Sequence, residues 1–573
     1  MSSLPVDGRD PSRGRGQTVR WSIALATAAA AWLAAGTAAE AAAGGRKVLA
    51  VVTCDSYADL KKQFGWLGAQ VGQPGLTGML ESVLLMATQG RGLGGFDMKR
   101  PLGVVVTTDG GDLAVHGFVP VKSLDKLLES LQAVTGPTRR AGDTRSLVLP
   151  NGIGLDAVEK DGWAIVSPQG MDAEAVDPGP LFAPLAENYT LGIELFPHLL
   201  PDSLRQQLRM LLAQAAAGGG EPGQQLDPRA ILAAVDGLAD IESLALGLAI
   251  DADKDRLFIE NRTVAVPGSA AAAAMTGSDR GQSTVCLPAA ADGGRPAIRG
   301  HLVQSVPEAS REEVLVMLDR ALPVASIDPL TKTIAVLLRE LISSVLATGG
   351  IDAAVCIDTA GGGDRPLPVV TAGVRVKEGA ALEASVKRSL GGGQRQLPPG
   401  VDIAFDTGKV GATSLHTITV DLRGSDSAES FGDSLPLTLA IAPDCAFLLA
   451  GGDARQRLTA VLDAAARPDP DAKPIAGLDV AVRPLLAYAA ARGALPATAL
   501  PDAAAADGDP RAGDVRLLVR PVERGVATRL SATGAALRVL AAGATSGAAA
   551  PNGPAIPPGL PLPEGFPIPA PAR

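Results

Sequence analysis

Gly103-Val-Val-Val-Thr-Thr-Asp109 and Ala114-Val-His-Gly-Phe-Val-Pro-Val121 read as adjoining β-strands that lead into a helix at Ser123–Val134. The same order returns later. Ala353-Ala-Val-Cys-Ile-Asp-Thr359 precedes Val369-Val-Thr-Ala-Gly-Val-Arg-Val376, and Ala380–Leu390 again has helical spacing. Leu191-Gly-Ile-Glu-Leu-Phe-Pro197 is answered by Leu478-Asp-Val-Ala-Val-Arg-Pro484, down to the closing proline. Self-similarity in a fixed order makes internal duplication the first reading of the chain.

Working outward, Leu124, Leu127, Leu128 and Leu131 recur at the spacing of one buried helix face. Asn151-Gly152 and Asp161-Gly162 separate short apolar runs and mark hairpins. Ser310-Arg-Glu-Glu313 is a capping box that opens a helix. Consecutive strands punctuated by single helices predict an α+β fold of two similar lobes, each a mostly antiparallel sheet with packed helices. The expected divisions are a first lobe at 44–267, a linker at 268–285, a second lobe at 286–542, and a disordered Ala/Gly/Pro-rich tail at 543–573.

Residues 1–43 have the order of a secretory signal peptide. Arg9, Arg13, Arg15 and Arg20 precede the apolar run Ser22–Ala35, and Ala41-Ala-Ala43 fits a cleavage pattern. An uncleaved N-terminal anchor is the alternative. No later stretch is long and apolar enough to span a bilayer, so the mature chain is expected to be periplasmic or secreted. A net charge of −10 without any basic block argues against a nucleic-acid partner.

Cys54, Cys286, Cys356 and Cys445 lie far apart and form no C-x-x-C pair, so neither zinc nor dithiol exchange is indicated. Four cysteines allow three disulfide pairings; buried free thiols are the simpler reading.

The sharpest catalytic match is Phe405-Asp406-Thr407-Gly408, the D-T-G of aspartic proteases, at the end of an apolar strand. That chemistry needs two carboxylates sharing a proton. The first half offers only Asn151-Gly152 in the region expected to correspond, so a hairpin turn is the reading preferred. His116, His198, His301 and His416 are isolated, with no H-E-x-x-H. Gly90-Arg-Gly-Leu-Gly-Gly95 follows a helix and enters a strand, the reverse of a dinucleotide loop. Asp251, Asp253 and Asp255 begin like a calcium loop, but Arg256 and Arg262 occupy the positions of its glycine and glutamate. No cofactor-binding, metal or catalytic residue is therefore assigned.

The leader, Phe96-Asp97-Met-Lys-Arg-Pro-Leu-Gly103 before a strand, and Gly117-Phe-Val-Pro-Val121 before a leucine-rich helix resemble uncharacterised exported proteins of planctomycete-like, high-GC bacteria. That resemblance implies export and carries no active residues. The expectation is an exported, non-enzymatic scaffold or binding protein for a small-molecule, lipid or envelope-protein partner, with a ligand cleft between the lobes. The alternatives are an envelope-interaction protein that uses its tail, and a hydrolase built from scattered residues including Asp406 and His416.

Overall fold

Alternate burial turns the apolar runs into sheet. In Leu113–Pro120, Ala114, His116, Phe118 and Pro120 face inward while their neighbours are only half-buried. The computed structural model describes residues 46–149, 151–171, 176–218, 233, 235–276, 285, 296–306, 308–321, 329–359, 368–392, 400–424, 428, 432–451, 454–465, 475–491 and 514–547. The expected signal peptide, Cys286 and residues 548–573 lie outside the described residues.

In the first half the strands are β1 (Lys47–Cys54), β2 (Leu102–Thr108), β3 (Leu113–Pro120), β4 (Arg139–Ala141) and β5 (Thr144–Val148). They continue with β6 (Gly154–Lys160), β7 (Trp163–Pro168), β8 (Leu191–Leu195), β9 (Ile241–Asp251) and β10 (Arg256–Ala265). Its helices are α1 (Tyr57–Gln70), α2 (Leu76–Ala87), α3 (Leu124–Thr135), α4 (Pro178–Ala186), α5 (Asp202–Gly218) and α6 (Ala270–Thr276).

The second half has β11 (Ile298–Ser305), β12 (Gly350–Asp358), β13 (Val369–Arg375), β14 (Val401–Val410) and β15 (Thr413–Asp421). After these come β16 (Ser434–Ile441), β17 (Cys445–Ala450), β18 (Ala476–Ala481), β19 (Asp514–Val522) and β20 (Gly525–Thr533). Its helices are α7 (Glu308–Ala321), α8 (Pro329–Leu346), α9 (Gly379–Gly392), α10 (Ala454–Ala465), α11 (Val482–Ala491) and α12 (Gly534–Gly547).

The twenty strands among the described residues join one sheet, and every pairing between them is antiparallel. From one edge to the middle the order is β4-β5-β6-β7-β3-β2-β1-β8-β9-β10. From the other edge it is β14-β15-β16-β17-β13-β12-β11-β18-β19-β20. The halves meet where β10 pairs with β20, from Arg256↔Thr533 to Val264↔Gly525. The strand order is the same in both halves, and the sheet runs unbroken through them.

Each face of the sheet is covered by helices. On one face, Phe182 and Leu185 of α4 pack on Val51, Val105, Phe118 and Trp163, whose rings meet edge to face. Leu458 and Val461 of α10 cover Ala354, Cys356 and Phe447 in the same way. On the opposite face, Leu124, Leu127 and Leu128 of α3 join Leu147, Ala157 and Ala164. There α9 sets Leu382, Val386 and Leu390 against Ile403, Ile441 and Ala446. Among the described residues no helix is long and apolar enough to cross a membrane.

Several expected boundaries move. The stretch expected as a linker begins with α6, which packs on β10 and β20. The expected tail starts inside α12, so residues 543–547 are helical. Ala442–Asp444 turns between β16 and β17. Phe405-Asp406-Thr407-Gly408 is not the hairpin turn. That turn is Gly411-Ala412, and the motif forms a bulge within β14.

Candidate functional site

The bulge gathers the polar side chains. Ala404 pairs with Thr417 and Gly408 with Leu415, so three residues of β14 lie opposite His416 alone. Asp406 takes φ +54°, a left-handed conformation that costs energy for a residue with a side chain. The ladder offers the Asp406 N–H no carbonyl there. It donates instead to His416 Nδ1 at 3.1 Å. His416 is 1% exposed and its ring lies edge-on to Phe405.

Helix α9 adds two more groups. Glu383 Oε1 is 3.3 Å from His416 Nε2, which makes no hydrogen bond among the described residues. Lys387, one turn on, bridges Glu383 Oε1 at 2.8 Å and the two Asp406 oxygens at 2.9 and 3.0 Å. Its ammonium holds the Asp406 carboxyl below its ordinary value, and both carboxylates raise the lysine in return. Burial depresses the His416 pKa, and the nearby Glu383 only partly opposes this.

Asp406 and His416, two residues singled out from the sequence, are thus neighbours. Their geometry suits neither of the chemistries considered. Glu383, Asp406 and His416 bring ligand atoms within 4.8 Å of one another, as a metal site would. Yet Nδ1 accepts an N–H, so Nε2 carries the proton of the neutral ring and has no lone pair to give. The Lys387 ammonium already lies between the carboxylates. For hydrolysis, among the described residues no second carboxylate shares a proton with Asp406, and Thr407 Oγ1 is engaged with Leu415 O and Thr417 Oγ1. The cluster braces a bulge.

The other sequence candidates are dispersed. His198 Nδ1 meets Glu242 O at 2.9 Å in a short 3₁₀ turn, and His116 is buried on β3. Asp251, Asp253 and Asp255 diverge to Lys254, Lys62 and Trp66 rather than around one point. In the Gly90–Gly95 loop, Gly95 has φ +76° and lies so close to the start of α3 that a Cβ would strike Ser123 O. Cys54, Cys356 and Cys445 are free thiols. Burial pushes the Cys445 thiol up to about 12.

The second feature is a cavity of about 740 Å³ between α8, α9 and the sheet. Val355, Ala372, Leu382, Val386, Leu439 and Leu448 line it together with His301, and among the described residues no carboxylate, lysine or arginine does. Its floor continues as direct cross-strand neighbours from Leu439 through Leu448, Ala372, Val355 and Gly300 to Leu478. The cavity lies inside the second half, not in a cleft between halves, and neither Trp66 nor Trp163 lines it.

Comparison with known proteins returns no match: no family model fits the chain, and no curated protein or solved structure resembles it.

Proposed function

We propose that this is an exported, non-enzymatic binding protein that holds an elongated apolar molecule in the cavity of its second half. The observation that carries the reading is the cavity: its volume lies in the range of small-molecule sites and its lining is almost wholly apolar. Export is supported by the leader at 1–43. Internal duplication is supported by the shared strand order, with each half closing on a hairpin and a helix. On this reading the two copies diverged, and one of them kept room for a ligand.

The test is a titration with the neutral fluorophore N-phenyl-1-naphthylamine, whose emission rises in apolar surroundings. Ala372→Phe projects a ring into the cavity and is expected to weaken binding at least tenfold without lowering the melting temperature, because open space receives the ring. Equal affinity in the variant and the parent would overturn the reading. The tail-dependent alternative is tested by a deletion beginning at residue 548, since one beginning at 543 cuts into α12.

A further inference from the structure

The cavity has a polar neighbour. A groove of about 390 Å³ runs between the C-terminal turns of α8 and the start of α9, and Leu382 lines both spaces. Around it stand Arg339, Glu340, Ser343, Lys377, Glu378 and Ser385. The groove therefore presents both signs of charge together with hydroxyls, whereas among the described residues the cavity across Leu382 presents His301 as its one titratable side chain.

One group in the groove is unsatisfied. Among the described residues Glu340 Oε2 is buried without a hydrogen-bond partner, although Glu340 lines the groove. A buried acceptor left unpaired is costly, and its natural complement is a cationic or hydroxyl donor. Arg339 and Lys377 supply the opposite complement, since guanidinium and ammonium groups recognise phosphate oxygens.

Resting on the reading of the cavity as a ligand site, we infer that cavity and groove form one site for a single-chain zwitterionic amphiphile. Its chain occupies the apolar space. Its phosphate faces Arg339 and Lys377, and its ammonium is received by Glu340. The halves of the site match the halves of such a molecule in polarity and in order, and Leu382 marks the joint between them.

The experiment displaces bound N-phenyl-1-naphthylamine from the full chain with lysophosphatidylethanolamine and with lysophosphatidylglycerol of the same acyl length, below their micelle concentrations. The ethanolamine lipid is expected to displace the probe at a concentration at least tenfold lower. Glu340→Gln is expected to reduce that difference to less than threefold while probe affinity stays unchanged. Equal ranking of the two lipids by the parent protein, with the probe still bound, overturns the headgroup assignment and leaves the cavity reading standing. Failure of the probe to bind overturns both. The parent protein's ranking decides the matter even if the variant folds poorly.

Discussion

Replacing Glu260 with alanine is expected to destabilise the protein by about 3 kcal/mol, near the low end for breaking a buried ion pair. Glu260 lies on β10 directly opposite Arg529 on β20, where the two halves of the sheet meet. Its side chain is 5% exposed, receives a hydrogen bond from Arg529 Nε at 2.6 Å and another from the Tyr189 hydroxyl at 2.8 Å, and lies 3.4 Å from Arg520. Alanine leaves the Tyr189 hydroxyl and a partly buried guanidinium without their acceptor. The low end applies because both arginines keep part of their surface in water. Arg520→Ala is expected to cost under about 1 kcal/mol, because it is half exposed and Arg529 remains. Urea midpoints for the two variants check the contrast; equal shifts would show that the seam does not depend on Glu260.

The same site sets a pH dependence. Burial by itself raises the Glu260 carboxyl, but hydrogen bonds from Arg529 and Tyr189 outweigh it and hold the group below its ordinary value. A carboxyl depressed on folding stabilises above its unfolded pKa, about 4.3, and loses that contribution as pH falls through the folded value. Tyr189 behaves oppositely. Burial and the bond to Glu260 push it up to about 12, so its contribution is complete below about pH 10 and fades above. Glu260→Gln should therefore flatten the acid limb of the stability curve.

Much of this architecture was legible in the sequence, and the failures have physical causes. Period-two burial fixed β2 and β3, and the leucine spacing fixed α3. The block match of 103–109 with 353–359, however, sets Val105 beside Val355. Val105 is fully buried under α4, and the residues of β12 buried under α10 are Ala354 and Cys356, on either side of Val355. A slip of one residue reverses every face of a strand, and composition alone does not register it. The polar cluster was half legible. Asp406 and His416 stood out by residue type, whereas Glu383 and Lys387 at i, i+4 look like an ordinary solvated helix pair. Their meeting depends on a bulge, which leaves no clear mark in the sequence. The cavity lies where side chains of α8 and α9 meet small sheet residues such as Ala372, an arrangement of packing that no motif encodes.

Replacing His416 with leucine is expected to destabilise by about 2 kcal/mol, while Glu383→Leu/His416→Leu together should cost less than the two single changes summed. The reasoning starts in the first half. Counting from Val121 and Val376, each the first residue after its strand, places Leu128 where Glu383 stands. Counting from the turn glycines Gly142 and Gly411 places Leu147 where His416 stands. Leu128 and Leu147 share one packed cluster, so a leucine pair in one half occupies the place of a glutamate–histidine pair in the other. Changing only His416 strands the Asp406 N–H in its bulge, at about 1 kcal/mol, the low end for an unpaired donor because Asp406 itself is exposed. It also leaves Glu383 facing a new apolar wall. Changing both restores the apolar pairing and removes the second penalty, an interaction of about 1 kcal/mol in a double-mutant cycle. Acid titration supplies a separate readout. The pKa of His416 is lowered on folding, so its contribution is complete above about pH 6.5 and is lost as pH falls through the folded value. Protonating Nδ1 would set one N–H against another. His416→Leu should therefore remove the stability loss between pH 7 and 5 that this histidine gives the parent. Strict additivity of the two changes, with an unaltered slope over that range, would mean that histidine and glutamate act independently and that the bulge is held by the backbone alone.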